Sequence, residues 1–124
     1  MKTITVIFLV LLASVSFAQK KKKPFFSDKE EITQAAVTEL DSLMKGPEGE
    51  LFLFAKENNI RGEYTFDITI KNKGHVSSVF VAGNVGGDIP SQNSLKDKIL
   101  EHKFFFKTPK NKSFKFQYIF KFNE

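Results

Sequence analysis

From Phe114 to Phe122 every second residue is aromatic: Phe114, Phe116, Tyr118, Phe120 and Phe122, with Lys115, Gln117, Ile119 and Lys121 between them. Side chains of a strand point alternately to opposite faces. This stretch therefore reads as a strand with one wholly aromatic face and one mixed face. On a helix the five rings would be scattered around the axis. An aromatic face has to be covered. Strands of membrane barrels also alternate, but a barrel takes many of them, and the other alternating stretches here are too few. The face is read as the inner side of a small sheet, packed against Ile32, Leu40, Leu95 and Ile99. Lys115 and Lys121 then act as guards, because a β-prone strand with two apolar faces would aggregate.

The rest of the chain supplies partners for that strand. Ile32, Ala36, Leu40 and Leu43 recur at helical spacing, widened by Val37 and Met44. Ser27-Asp-Lys-Glu30 before them has the form of a capping box with Ser27 as N-cap, and Gly46-Pro47 ends the helix. Leu51 to Ala55 is a continuous apolar run. Acidic Glu48 and Glu50 ahead of it and Asn58-Asn59 behind favour a short helix within 48–59. Tyr64, Phe66, Ile68 and Ile70 alternate with Thr65, Asp67 and Thr69. With Lys71 to Gly74 as a turn and Val76 to Ala82 as a second strand, they predict a β-hairpin. Val76, Val79 and Val81 break parity, which a bulge near Ser77-Ser78 repairs. Gly83 to Pro90 reads as a Gly-rich loop. Ser91 or Ser94 can cap a helix carrying Leu95, Ile99 and Leu100 and ending near His102. Phe104 to Phe106 is extended, because the residue before Pro109 avoids helix. The fold class expected is α+β: a three-stranded antiparallel sheet covered on one face by two or three helices.

Ahead of the domain, Met1-Lys2, the apolar run Ile4 to Leu12 and Ser16-Phe17-Ala18 form a secretory signal peptide, 1–18, cleaved after Ala18. The run falls short of the roughly 20 residues that span a bilayer. Lys20 to Lys23 follow directly, and positive charge there tends to stay cytoplasmic. An uncleaved inner-membrane anchor is therefore the alternative. Residues 19–26 read as a basic flexible leader and 27–124 as one domain, helical over 27–60 and hairpin-helix-strand over 62–124. The formal net charge is +5, but without Lys2 and Lys20 to Lys23 the remainder is neutral. The basicity belongs to the leader, whose Lys run is the one expected point of contact with a membrane. The chain has no cysteine. That excludes disulfide staples and thiolate metal sites, and favours a bacterial envelope protein, in the periplasm or secreted.

Little in the sequence points to catalysis. His75 lies beside a hairpin turn and His102 at a helix end, and both read as surface histidines without ligand spacing to another candidate. There is no nucleophile-elbow pattern. The acid pairs Glu30-Glu31 and Glu48/Glu50 sit at helix starts, where carboxylates are favoured structurally. Gly83 to Asp88 lacks the ending of a phosphate loop. No cofactor and no metal is expected. Nucleic acid is not expected either: a stacking platform needs aromatics and cations on one face, and Lys115 and Lys121 lie opposite the rings. Within the domain, residues 28–63 carry nine acids against four bases, and residues 64–124 five against ten. The helical half is thus acidic and the sheet half basic, which reads either as complementarity within the domain or as a basic outer sheet face of Lys71, Lys73, Lys115 and Lys121.

Glu63-Tyr-Thr-Phe-Asp-Ile-Thr-Ile70, then Lys73-Gly-His-Val76 and Ser77-Ser-Val-Phe-Val81, then the helix around Ser94 to Ile99, aromatics before Pro109 and the final alternating strand, together resemble the C-terminal domain of TonB-type energy transducers. The resemblance covers residues 62–123. It departs from the family in lacking the Tyr-Pro pair before the first strand, in having Ala82-Gly83 where Ser-Gly is usual, and in lacking a long proline-rich linker. It implies a stand-alone relative that does not itself transduce energy and binds a partner peptide or envelope protein at an exposed strand edge. On that mode the outer side chains Lys115, Gln117, Ile119 and Lys121 meet the partner. The alternative is a carrier of small hydrophobic ligands in a Phe-rich cavity between sheet and helices.

Overall fold

A computed structural model of the chain describes residues 23–122. The expected signal peptide and the first residues of the leader lie outside that range.

The first helix, α1 (Lys29–Met44), is capped by Asp28, whose carboxylate accepts from the N–H groups of Glu30 and Glu31 at 3.1 and 3.3 Å. The expected cap, Ser27, stands one residue too early. A carboxylate is the stronger acceptor for orphan N–H groups, and Glu31 then occupies the position three residues on. Helix α1 buries Ile32, Ala36 and Leu40. The apolar run after it is helical, α2 (Glu50–Glu57), with Leu51 and Ala55 inward.

Strands β1 (Gly62–Lys71) and β2 (His75–Val85) form the hairpin. Tyr64, Phe66, Ile68 and Ile70 of β1 are completely buried. Gly74 closes the turn at φ +82. A side chain there would meet the carbonyl oxygens of Phe104 and Phe106 at 2.5 and 2.7 Å, so glycine is required twice over. The pairing of β2 slips twice. Thr69 faces Ser78 while Ile70 faces Val76, leaving Ser77 extra; Thr65 faces Gly83 while Phe66 faces Val81, leaving Ala82 extra. The first slip is the bulge that the parity of the valines requires.

Helix α3 (Ile89–Glu101) begins earlier than expected. Asp88 is its N-cap and accepts from Ser91 N–H at 2.7 Å, so neither Ser91 nor Ser94 caps it. Pro90 sits in the first turn, where the N–H it lacks has no intrahelical partner. Gly83 to Val85 belong to β2. The Asp88 carboxylate occupies the helix N-terminus behind Gly86-Gly87, the place an anion would need.

After α3 the chain runs extended. Lys103 bridges to His75, and Phe104 N–H donates to Gly74 O at 2.9 Å. Phe104 and Phe106 are buried and stacked 5.5 Å apart, while Phe105 is half exposed. The described part of the leader lies along this segment. Phe25 bridges to Lys107, Phe26 N–H donates to Lys107 O at 2.9 Å, and Lys107 N–H to Pro24 O at 2.8 Å. Residues 24–26 are thus paired to the domain and not detached from it.

Strand β3 (Ser113–Phe122) completes a three-stranded antiparallel sheet of order β2-β1-β3. Its aromatic side faces the helices: Phe114, Phe116, Phe120 and Phe122 are buried, and Phe120 meets Phe66 at 5.3 Å. Helix α1 packs under β3 and α3 under β2, with α2 against α1. The fold is α+β, one small sheet with helices on one face.

Candidate functional site: the free edge of β3 and the groove at its end

Strand β3 pairs with β1 in one unbroken register, from Gly62 opposite Phe122 to Lys71 opposite Ser113. Among the described residues nothing pairs with its other side. Half of its backbone N–H and C=O groups therefore point away from the sheet along ten residues. Backbone polar groups need partners, and at a free edge either solvent or a second extended chain can supply them.

The four residues expected to meet a partner stand together on the outer face of this strand. Lys115 lies opposite Thr69, Gln117 opposite Asp67, Ile119 opposite Thr65 and Lys121 opposite Glu63. All four are exposed. Gln117 Nε2 donates to Asp67 Oδ1 at 2.9 Å, which holds the middle of the row. Ile119 is 47% exposed, and Phe80 on β2 is 69% exposed. On the inner side the Tyr118 hydroxyl donates to Asp41 Oδ1 of α1. Burial, and then that carboxylate, keep the phenol neutral well above its ordinary range. The strand is clamped from below and open at its side.

At the far end of β3 a groove of ≈ 660 Å³ opens, with Met44, Phe52, Ala55, Ile60 and Phe122 among its apolar lining. Lys56, Arg61 and Lys121 also line it, and among the described residues no acid does. None of the three cations forms an ion pair among the described residues. Lys121 and Phe122 are consecutive and point to opposite faces of the strand, so the groove wraps the strand's end, and Ala55, Ile60 and Phe122 of its lining belong to the buried core. Of its cations, only Lys121 was expected at a site. The others converge from the last turn of α2 and the connection to β1. One signal was available: Arg61 is the only arginine in the sequence, and a guanidinium suits a carboxylate better than an ammonium does.

His102 is not the surface residue its sequence position suggests. It ends α3 half-buried, with Nε2 2.8 Å from Glu39 Oε2 of α1 and its ring edge-on to Phe104. Glu39 Oε1 also accepts from Phe105 N–H at 3.0 Å. The pair fastens the extended segment to α1, and both ends of the carboxylate are used in doing so. His75 is exposed. Lys98 pairs with Glu50 at 2.8 Å, which lowers the glutamate pKa. Among the described residues no three potential ligands gather at a metal-binding distance, and no helix is long and apolar enough to cross a membrane.

No family model matches the chain, and no curated protein or solved structure matches it.

Proposed function

We propose that this chain is an exported, non-enzymatic module of the bacterial envelope that binds an extended segment of a partner protein by adding it as a fourth strand beside β3. The observation that carries the reading is the edge of β3: ten residues, no register slip, and no neighbour among the described residues. Main-chain bonds along such an edge supply affinity, and the alternating Lys115, Gln117, Ile119 and Lys121 supply selectivity. The pattern of strands and turns that resembles the TonB C-terminal domain supports the same reading. So does the signal-like N-terminus, which directs the chain to the compartment where such partners occur.

The test is amide hydrogen exchange on residues 19–124 against a library of ten-residue extended peptides. Binding by strand addition slows exchange at alternate β3 amides, those not bonded to β1. Peptides that bind while leaving every β3 amide unchanged would sink the proposal.

A further inference from the structure

The groove at the end of β3 combines two chemistries in one place. Its floor is apolar and its rim carries Lys56, Arg61 and Lys121 with no acid and no ion pair among the described residues. Clustered like charges repel, so this arrangement is tolerated on solvent grounds and improved by an anion. The volume lies within the range of ordinary ligand sites, about 300–1,000 Å³. Yet the groove is open along one side, and an open groove cannot bury most of a small ligand as a closed pocket does. An occupant needs further contact beyond the groove. The surface that continues from it is the free edge of β3, because Lys121 and Phe122 belong to both.

Resting on the strand-addition reading, we infer that the groove receives the C-terminal residue of the partner segment, which carries a free carboxylate and a bulky apolar side chain. A C-terminal residue is the group that presents an anion and an apolar side chain from the same carbon. The carboxylate sits among Arg61, Lys56 and Lys121, where charge-assisted and bidentate bonds are available. The last side chain lies on Phe52, Met44 and Phe122. Direction follows: β3 runs toward the groove, so the partner runs parallel to β3. An acidic side chain in mid-peptide would bring charge without the adjoining apolar group, and its chain would have to continue past Ile60 and Phe52.

The experiment compares two N-acetylated peptides of alternating Thr and Val ending in Phe, one with a free C-terminus and one amidated. Affinity is read by calorimetry and β3 protection by hydrogen exchange. The free acid should bind about tenfold tighter than the amide, the size expected of bonds to a charged group. The Lys56→Gln, Arg61→Gln double variant, altered only at exposed positions, keeps Lys121 and should shrink that difference to about twofold, chiefly by weakening the acid; an undiminished difference overturns the inference. Equal binding of acid and amide, with β3 protected, overturns this inference and leaves strand addition standing. Failure of both peptides to protect β3 overturns both. N-acetylphenylalanine alone is the third arm: millimolar or weaker binding supports the inference, and binding as tight as the peptide acid overturns it in favour of a small-molecule site.

Discussion

The two edges of the sheet are built differently. The outer edge of β2 belongs to a strand with two bulges, at Ser77 and Ala82, and has Lys103 bridged to its first residue, His75. These are the usual ways in which proteins make an edge unusable for pairing. The edge of β3 has none of them. It is straight in register, and lysines on its outer face are its protection. The central strand cannot explain the difference, because β1 serves both neighbours equally. What differs is the start of the extended segment after α3: Lys103 bridges to His75 of β2, and no described segment bridges to the free edge of β3. One edge is bulged and, at its start, closed by the chain's own material; the other is unbroken and unpaired among the described residues.

That contrast can be broken from the closed side. Phe104→Ala removes a fully buried ring that meets Phe106, Phe116 and His102, and should cost about 3–5 kcal/mol in urea unfolding. A loss below about 1 kcal/mol would mean that the segment is not part of the core. The next effect is seen in alkali. Tyr118 titrates above its unfolded value near 10. Its contribution is therefore complete below about pH 10 and is lost as pH rises from there through the folded value. Urea midpoints measured at about pH 8 and pH 11 should fall less in Tyr118→Phe than in the parent chain, the difference isolating Tyr118 from Tyr64, whose pKa burial also raises. An equal fall would remove the clamp from α1 as a stabilising feature. Thr108 has a buried hydroxyl without a partner among the described residues. Thr108→Val should raise stability by about 1 kcal/mol, read as a higher melting temperature. Smallest in energy, but most telling for the open side, is the pair Lys115→Val and Lys121→Val. It should change stability by less than about 0.5 kcal/mol and yet produce concentration-dependent association in sedimentation, whereas Phe80→Ser on the β2 side should not alter the oligomeric state. A monomeric Lys double variant would show that the lysines do not guard the edge.

Much of this was readable from spacing. The aromatic alternation in 114–122 and the alternation in 64–70 set which side chains lie inward, and the broken parity of Val76, Val79 and Val81 located one bulge. The second bulge, at Ala82, was hidden because Gly83 and Asn84 carry no apolar phase to violate. Helix starts were misplaced where Asp28 and Asp88 compete with nearby serines, since capping patterns do not rank the acceptors. Strand order was not legible, because alternation is identical for a central strand and an edge strand. The row Lys115, Gln117, Ile119 and Lys121 could be read because it is local. The groove could not, because Met44, Lys56, Arg61 and Lys121 meet only through the fold, and neither could Glu39 with His102, 63 positions apart.

The antiparallel pairing of β1 with β3 also has a temporal side. Gly62 meets Phe122 and Lys71 meets Ser113, separations far longer than any contact within the hairpin, and contacts so distant in sequence form late. During folding the hairpin is therefore complete while β1 still exposes Tyr64, Phe66, Ile68 and Ile70 beside an unfilled edge. During that interval the molecule is itself a receptor for an extended strand, and its own β3 is the intended ligand. A second copy's β3 is chemically the same ligand, so crowded folding intermediates carry a route to domain-swapped dimers that the finished sheet no longer offers.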